Sequence, residues 1–138
     1  MKIFGDNIII NDRFPSTINN KNHIIETIIS RIKEYTCVTK IDYDELFLVI
    51  DEAITNAMEH GNHWDPDKLV DVKITRTGEY VSITIEDEGT GFNIDKYSIA
   101  DSSPNLNPRG RGIQIIKHFC RPNWNNTGNQ INFCIDLK

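Results

Sequence analysis

"DEAITNAMEHGN", residues 51–62, is the stretch on which the reading of this chain turns. It has the composition of a helix, and its polar residues Glu52, Asn56 and His60 recur at every fourth position. With Leu46 as origin and about 100° per residue, Val49, Ile50, Ala53, Ile54 and Ala57 form one apolar stripe. On the same wheel Glu52 falls at roughly 240°, Asn56 at roughly 280° and His60 at roughly 320°, so the polar row slants into the edge of the stripe. Asn56 and His60 are therefore expected to be partly buried. A buried amide without partners costs about 1–3 kcal/mol, so backbone, water or an enclosed ligand must satisfy it. On this triplet alone, two roles compete: bridging neighbouring loops, and lining one wall of a nucleotide pocket. For the second, an asparagine oxygen suits Mg²⁺, which leans on substrate phosphates and keeps several waters. A glutamate one turn earlier could take a proton from an attacking hydroxyl.

Outward from this stretch, the helix is predicted from about Asp42 to His60, with Gly61 as a left-handed stop. Upstream, "NIIINDRF" is strand-like and ends at Pro15; Ser16 or Thr17 can cap a helix whose apolar face is Ile18, Ile24, Ile25, Ile28, Ile29 and Ile32. Downstream, Val70, Val72 and Ile74 alternate, as do Val81, Ile83 and Ile85, around a Thr77-Gly78 turn, which predicts an antiparallel hairpin. "EDEGTGFNIDKYSIADSSPNLNPRGRG" is poor in apolar residues and long for a loop, so residues 93–109 are expected to form a lid. "IQIIKHF" is a short helix beginning on the glycines. "RPNWNN" and "QINFCIDLK" read as two closing strands, with Ile131, Phe133, Ile135 and Leu137 alternating. The order predicts an α+β fold, a two-layer α/β sandwich with a mostly antiparallel, mixed sheet and helices on one face.

The totals suit one compact domain over residues 1–138: 38% hydrophobic, 25% charged, net charge −5. The 15 basic residues form no dense cluster, which argues against a nucleic-acid surface. Cys37, Cys120 and Cys134 form no CxxC pair and suit a reduced cytoplasm rather than a disulfide framework or a metal site. No run has the length of a signal-peptide core or of a membrane span.

Two glycine loops sharpen the functional reading. "EDEGTGF" places Asp87, Gly89 and Gly91 at the end of an apolar strand. A carboxylate there can accept a hydrogen bond from an exocyclic amine, and the glycines let the chain pass close to a flat ring. "PRGRGIQII" places Gly110 and Gly112, then Ile113, at a helix start, where free N–H groups favour phosphate. Arg109 and Arg111 could add charge-assisted hydrogen bonds. Each loop alone is a weak signal, since plain turns and packing use the same residues.

Taken in order, the helix with E-x-x-x-N-x-x-x-H, the DxGxG loop after a strand, the polar lid and the GxG helix resemble the GHKL (Bergerat-fold) ATP-binding superfamily. "NAMEHGNHWDPDKLV" and "GRGIQIIKHF" look most like its small bacterial branch, the anti-sigma-factor serine/threonine kinases. The resemblance implies Glu52 as general base, Asn56 as Mg²⁺ ligand and His60 as the end of that motif. It implies Asp87 on the adenine amine, with Gly89 and Gly91 shaping that wall. It implies Gly110 and Gly112 as the phosphate loop, flanked by Ile113, with Arg109 or Arg111 reaching the terminal phosphate. The cofactors would be ATP and Mg²⁺. The partners would be an anti-sigma-factor antagonist, phosphorylated on serine or threonine, a sigma factor held in its absence, and a second copy in a homodimer. A nucleotide-dependent binding switch without phosphotransfer is the competing reading; a detached histidine-kinase catalytic domain ranks third. Two departures stand out. Many superfamily members carry a threonine beside the adenine near the last strand, where this chain has Asn129 and Gln130. An acidic turn is usual after the last helix, where this chain has Arg121 and Pro122.

Overall fold

The computed structural model describes residues 7–35, 40–90 and 108–137, with backbone only for residues 7 and 108–113. Five strands form one sheet in the order β1-β2-β3-β5-β4. These are β1 (Asn7–Pro15), β2 (Leu69–Arg76), β3 (Tyr80–Glu86), β4 (Asn123–Trp124) and β5 (Gln130–Asp136). Every pairing among them is antiparallel, so the expected mixed character is absent from the described strands. Among the described residues three α-helices accompany the sheet: α1 (Ile18–Tyr35), α2 (Tyr43–Thr55) and α3 (Pro108–Phe119). Among the described residues no helix is long and apolar enough to cross a membrane.

The alternation in the strands decides the layering. Val70, Val72, Ile74, Val81, Ile83, Ile85, Ile131, Phe133 and Ile135 are buried, and each is separated from the next in its strand by a less buried residue. A strand turns successive side chains to opposite faces, so these residues make one apolar face. Against it lie Ile24, Ile25, Ile28 and Ile32 of α1 and Leu46, Val49, Ile50, Ala53 and Ile54 of α2, in one continuous core. On the other face Asn132 donates to Ser82 Oγ at 3.0 Å and to Thr84 Oγ1 at 2.7 Å. The result is the two-layer α+β sandwich.

Thr17 rather than Ser16 accepts at the start of α1, from the Asn20 N–H at 3.3 Å. Asp42 caps α2 through a reciprocal pair: its carboxylate accepts from the Glu45 N–H, and the Glu45 carboxylate accepts from the Asp42 N–H. The helix predicted to run unbroken to His60 does not. After Thr55 it widens into a π-helix over Asn56–Gly61. Asn62 N–H reaches back to the Ala57 carbonyl at 2.9 Å and Trp64 N–H to that of Met58 at 2.8 Å. π-Turns are rare and frequently occur at functional sites.

Nor is Gly61 a left-handed stop. The positive φ angles in this stretch belong to His63 and Trp64, both at 55°, after the π-helix has ended. The need for glycine at position 61 comes from packing. A Cβ there would lie 2.5 Å from Asp87 Oδ1 and closer still to Asp87 Cγ.

Candidate nucleotide site

A small pocket opens between the helical layer and one end of the sheet. Ala53, Asn56 and Ala57 line it from α2 and the π-helix, and Ile116 from α3. Ile85, Trp124 and Ile131 line it from the sheet, and Asp87, Gly128 and Asn129 from the loops at the strand ends. Apolar walls with a few convergent polar groups are the usual character of a small-molecule site.

Of the residues singled out in the sequence, the fold brings Asn56 and Asp87 into this lining. Glu52 is half-buried in α2, and His60 is half-buried with its Nε2 3.5 Å from the Glu59 carboxylate. Neither lines the described pocket. Gly91 and residues 93–107 of the expected lid lie outside the described residues. The helix expected to begin on the glycines begins earlier, at Pro108, so Arg109, Gly110, Arg111, Gly112 and Ile113 all lie within α3. Proline suits a first helical position because its missing N–H would have no partner there.

Asp87 is buried, and its surroundings fix it closely. Its Oδ1 accepts from the Gly89 N–H at 2.7 Å. Its own N–H donates to the Asn129 carbonyl at 2.9 Å, and its carbonyl accepts from Asn129 Nδ2 at 3.0 Å. Gly89 is as constrained as Gly61: a Cβ on it would lie 2.9 Å from Asp87 Oδ1 and closer to the Gly61 carbonyl oxygen. The two glycines therefore let the π-helix and the Asp87 turn pack backbone to backbone.

Sequence reasoning missed most of the wall opposite α2. Asn129, which stands where a threonine was expected, is held in the β4–β5 turn. Its Oδ1 accepts from Asn125 Nδ2 at 2.7 Å and Thr127 Oγ1 at 2.8 Å. Gly128 makes this turn possible with φ 85°. Trp124 adds an aromatic wall, with Lys117 Nζ 5.8 Å from its ring centroid. Arg121, the other departure, forms a two-pronged pair with Asp136, both contacts 2.8 Å, which holds the Asp136 carboxyl below its usual range.

Over 84 residues the chain is 33% identical to the Anti-sigma F factor of Bacillus cytotoxicus, covering 59% of this chain and 58% of that protein. Over 98 residues it is 32% identical to the Anti-sigma F factor of Oceanobacillus iheyensis, covering 65% and 67%. Over 78 residues it is 35% identical to that of Geobacillus thermodenitrificans, covering 54% and 53%. The matches thus span between about half and two thirds of those relatives. The solved histidine kinase domain from Erythrobacter litoralis EL346 blue-light activated histidine kinase aligns at 24% identity and a TM-score of 0.45, over 67% of this chain and 42% of that one. Residues 19–135, the greater part of the chain, match one domain family, and the chain belongs to it: the histidine kinase-like ATPase domain family.

Proposed function

We propose that the protein binds ATP with Mg²⁺ in this pocket and transfers the γ-phosphate to a serine or threonine of a small antagonist protein, and that it holds a sigma factor when the antagonist is absent or phosphorylated. The observation that carries the reading is the meeting of Asn56 and Asp87 in one pocket, with Gly61 packed against the Asp87 carboxylate. The relatives named Anti-sigma F factor support the regulatory part.

Asp87 would accept from the adenine amine, in a turn shaped by Gly89. Asn56 would offer its amide oxygen to Mg²⁺, which when bound neutralises phosphate charge. The first turn of α3 would face the phosphates with its unpaired N–H groups, around Gly110, Gly112 and Ile113, with Arg109 and Arg111 adding positive charge. Glu52 would accept the proton of the attacking hydroxyl. Such chemistry rests mostly on positioning and charge stabilisation, which a small domain can supply.

A second reading is a nucleotide-dependent binding switch without phosphotransfer. It is favoured by one observation, that Glu52 is not among the residues lining the described pocket. Capture of partners from the native cell in ATP and in ADP, followed by phosphosite mapping, tests both. A partner retained in a nucleotide-dependent way and phosphorylated in ATP is the expected result. A retained partner that never acquires phosphate would favour the switch.

A further inference from the structure

Asn62 is fully buried, at 0% exposure, directly after the π-helix. Its side-chain amide is engaged on every side. Nδ2 donates to Ser16 Oγ at 2.9 Å and to the Leu69 carbonyl at 3.1 Å. Oδ1 accepts from the Glu88 N–H at 2.8 Å. One amide thus joins the end of the π-helix, the β1–α1 turn, the start of β2 and the residue that follows Asp87. Glu88 is also tied at its other end, where its carboxylate accepts from the Leu69 N–H at 2.6 Å. The residue that follows Asp87 is therefore held through both its backbone and its side chain.

We propose that Asn62 is a positioning residue for adenine recognition: by holding the Glu88 N–H it keeps the Asp87 carboxylate lodged against Gly61 at the pocket wall. This rests on the nucleotide reading above. The residue type fits the task. The job needs two donors and one acceptor in a plane; an aspartate lacks the donors, and a leucine of similar size would leave the Glu88 N–H without its partner. Discrimination follows from the same geometry. A carboxylate pairs with the amine of adenine and opposes the carbonyl oxygen that guanine presents at the same ring position. A loosened Asp87 should therefore lose selectivity as well as affinity.

A purely structural role predicts something different, and Ser16 separates the two. Ser16 is buried, accepts from Asn62 Nδ2 and donates to the Lys68 carbonyl at 2.8 Å, whereas the Glu88 N–H is held by the Oδ1 of the same amide. The experiment is calorimetric titration of wild type, Asn62→Ala and Ser16→Ala with ATP and with GTP, alongside thermal melting. Both variants should melt lower than wild type. Asn62→Ala should lose ATP affinity by about tenfold or more, the weight of one broken buried hydrogen bond, and its preference for ATP over GTP should fall by a similar factor. Ser16→Ala should keep wild-type affinity and preference. A folded Asn62→Ala with an unchanged ATP-to-GTP ratio overturns the proposal. Should Asn62→Ala not fold, hydrogen exchange at the Glu88 amide of the wild type decides: protection without nucleotide is expected, and exchange at an open-chain rate overturns it. Wild type that binds neither nucleotide would overturn the nucleotide reading itself, a flat titration distinct from lost selectivity.

Discussion

The carboxylate of Asp87 fills the space that a side chain on Gly61 would need, with a Cβ placed 2.5 Å from Oδ1 and nearer to Cγ. This packing joins the helix that bears Asn56 to the turn that bears Asp87. The Asn56 and Asp87 side chains are thereby parts of one packed unit.

Gly61→Ala tests that unit. The methyl group must displace Asp87 or the π-helix, an overpacking cost of about 1–3 kcal/mol. Urea denaturation should show that loss, and ATP titration should show weakened binding in the protein that remains folded. Wild-type stability and affinity together would mean that Asp87 shifts freely and that the glycine is incidental.

Asn56→Ala addresses the metal. In the wild type, Mg²⁺ should tighten ATP binding; in the variant, affinities with Mg²⁺ and with a chelator should converge. Calorimetry in both conditions measures this. A full Mg²⁺ effect in Asn56→Ala would remove the residue from the metal site.

Glu52→Gln bears on the chemical step. It keeps size and helix propensity nearly constant, so fold and ATP binding should persist. Transfer of γ-phosphate to the captured partner should fall by roughly 10²–10⁴, the usual weight of a positioned base. Equal rates in the two proteins would exclude Glu52 from proton transfer.

Cys120 offers a prediction about pH. Burial, more than the neighbouring Cys134 and Asp136, pushes its thiol from an ordinary 9.0 up to about 12, with Arg121 opposing. The folded protein therefore binds this proton more tightly than the unfolded chain does. Its contribution to stability is complete below the ordinary value and is lost as pH rises from there through about 12. In a Cys37→Ser, Cys134→Ser background, alkylation at about pH 8 should be slow until denaturant is added, because the thiolate is the reacting form. Fast labelling of the native protein would contradict the buried neutral thiol.

Much of the fold was legible because it follows simple periods. The stripe Leu46, Val49, Ile50, Ala53, Ile54 and Ala57 is buried as drawn, and so are the alternating residues of β2, β3 and β5. Asn56 and His60 are half-buried, as their place on the wheel required. What escaped depends on contacts between distant segments. The π-helix leaves no periodic trace, since Asn56–Gly61 is equally compatible with a normal helix end. Gly61 looked like a stop because its real neighbour, Asp87, lies on another element. Nothing in the sequence marks Asn62, because its partners Ser16, Leu69 and Glu88 come from three separate segments. Trp124 and Asn129 entered the pocket wall once β4 paired with β5, and Ile116 once α3 packed against α2.

The central claim is that Asp87 reads adenine in this pocket, and the most direct measurement is calorimetric titration of wild type and Asp87→Asn with ATP. The amide keeps the size of the side chain and can still accept from the Gly89 N–H, so the turn should hold. It loses the charge-assisted bond, and affinity should fall by at least about tenfold. Clear binding by the wild type with that loss in the variant is the predicted result. Equal affinity in the two proteins would contradict the account.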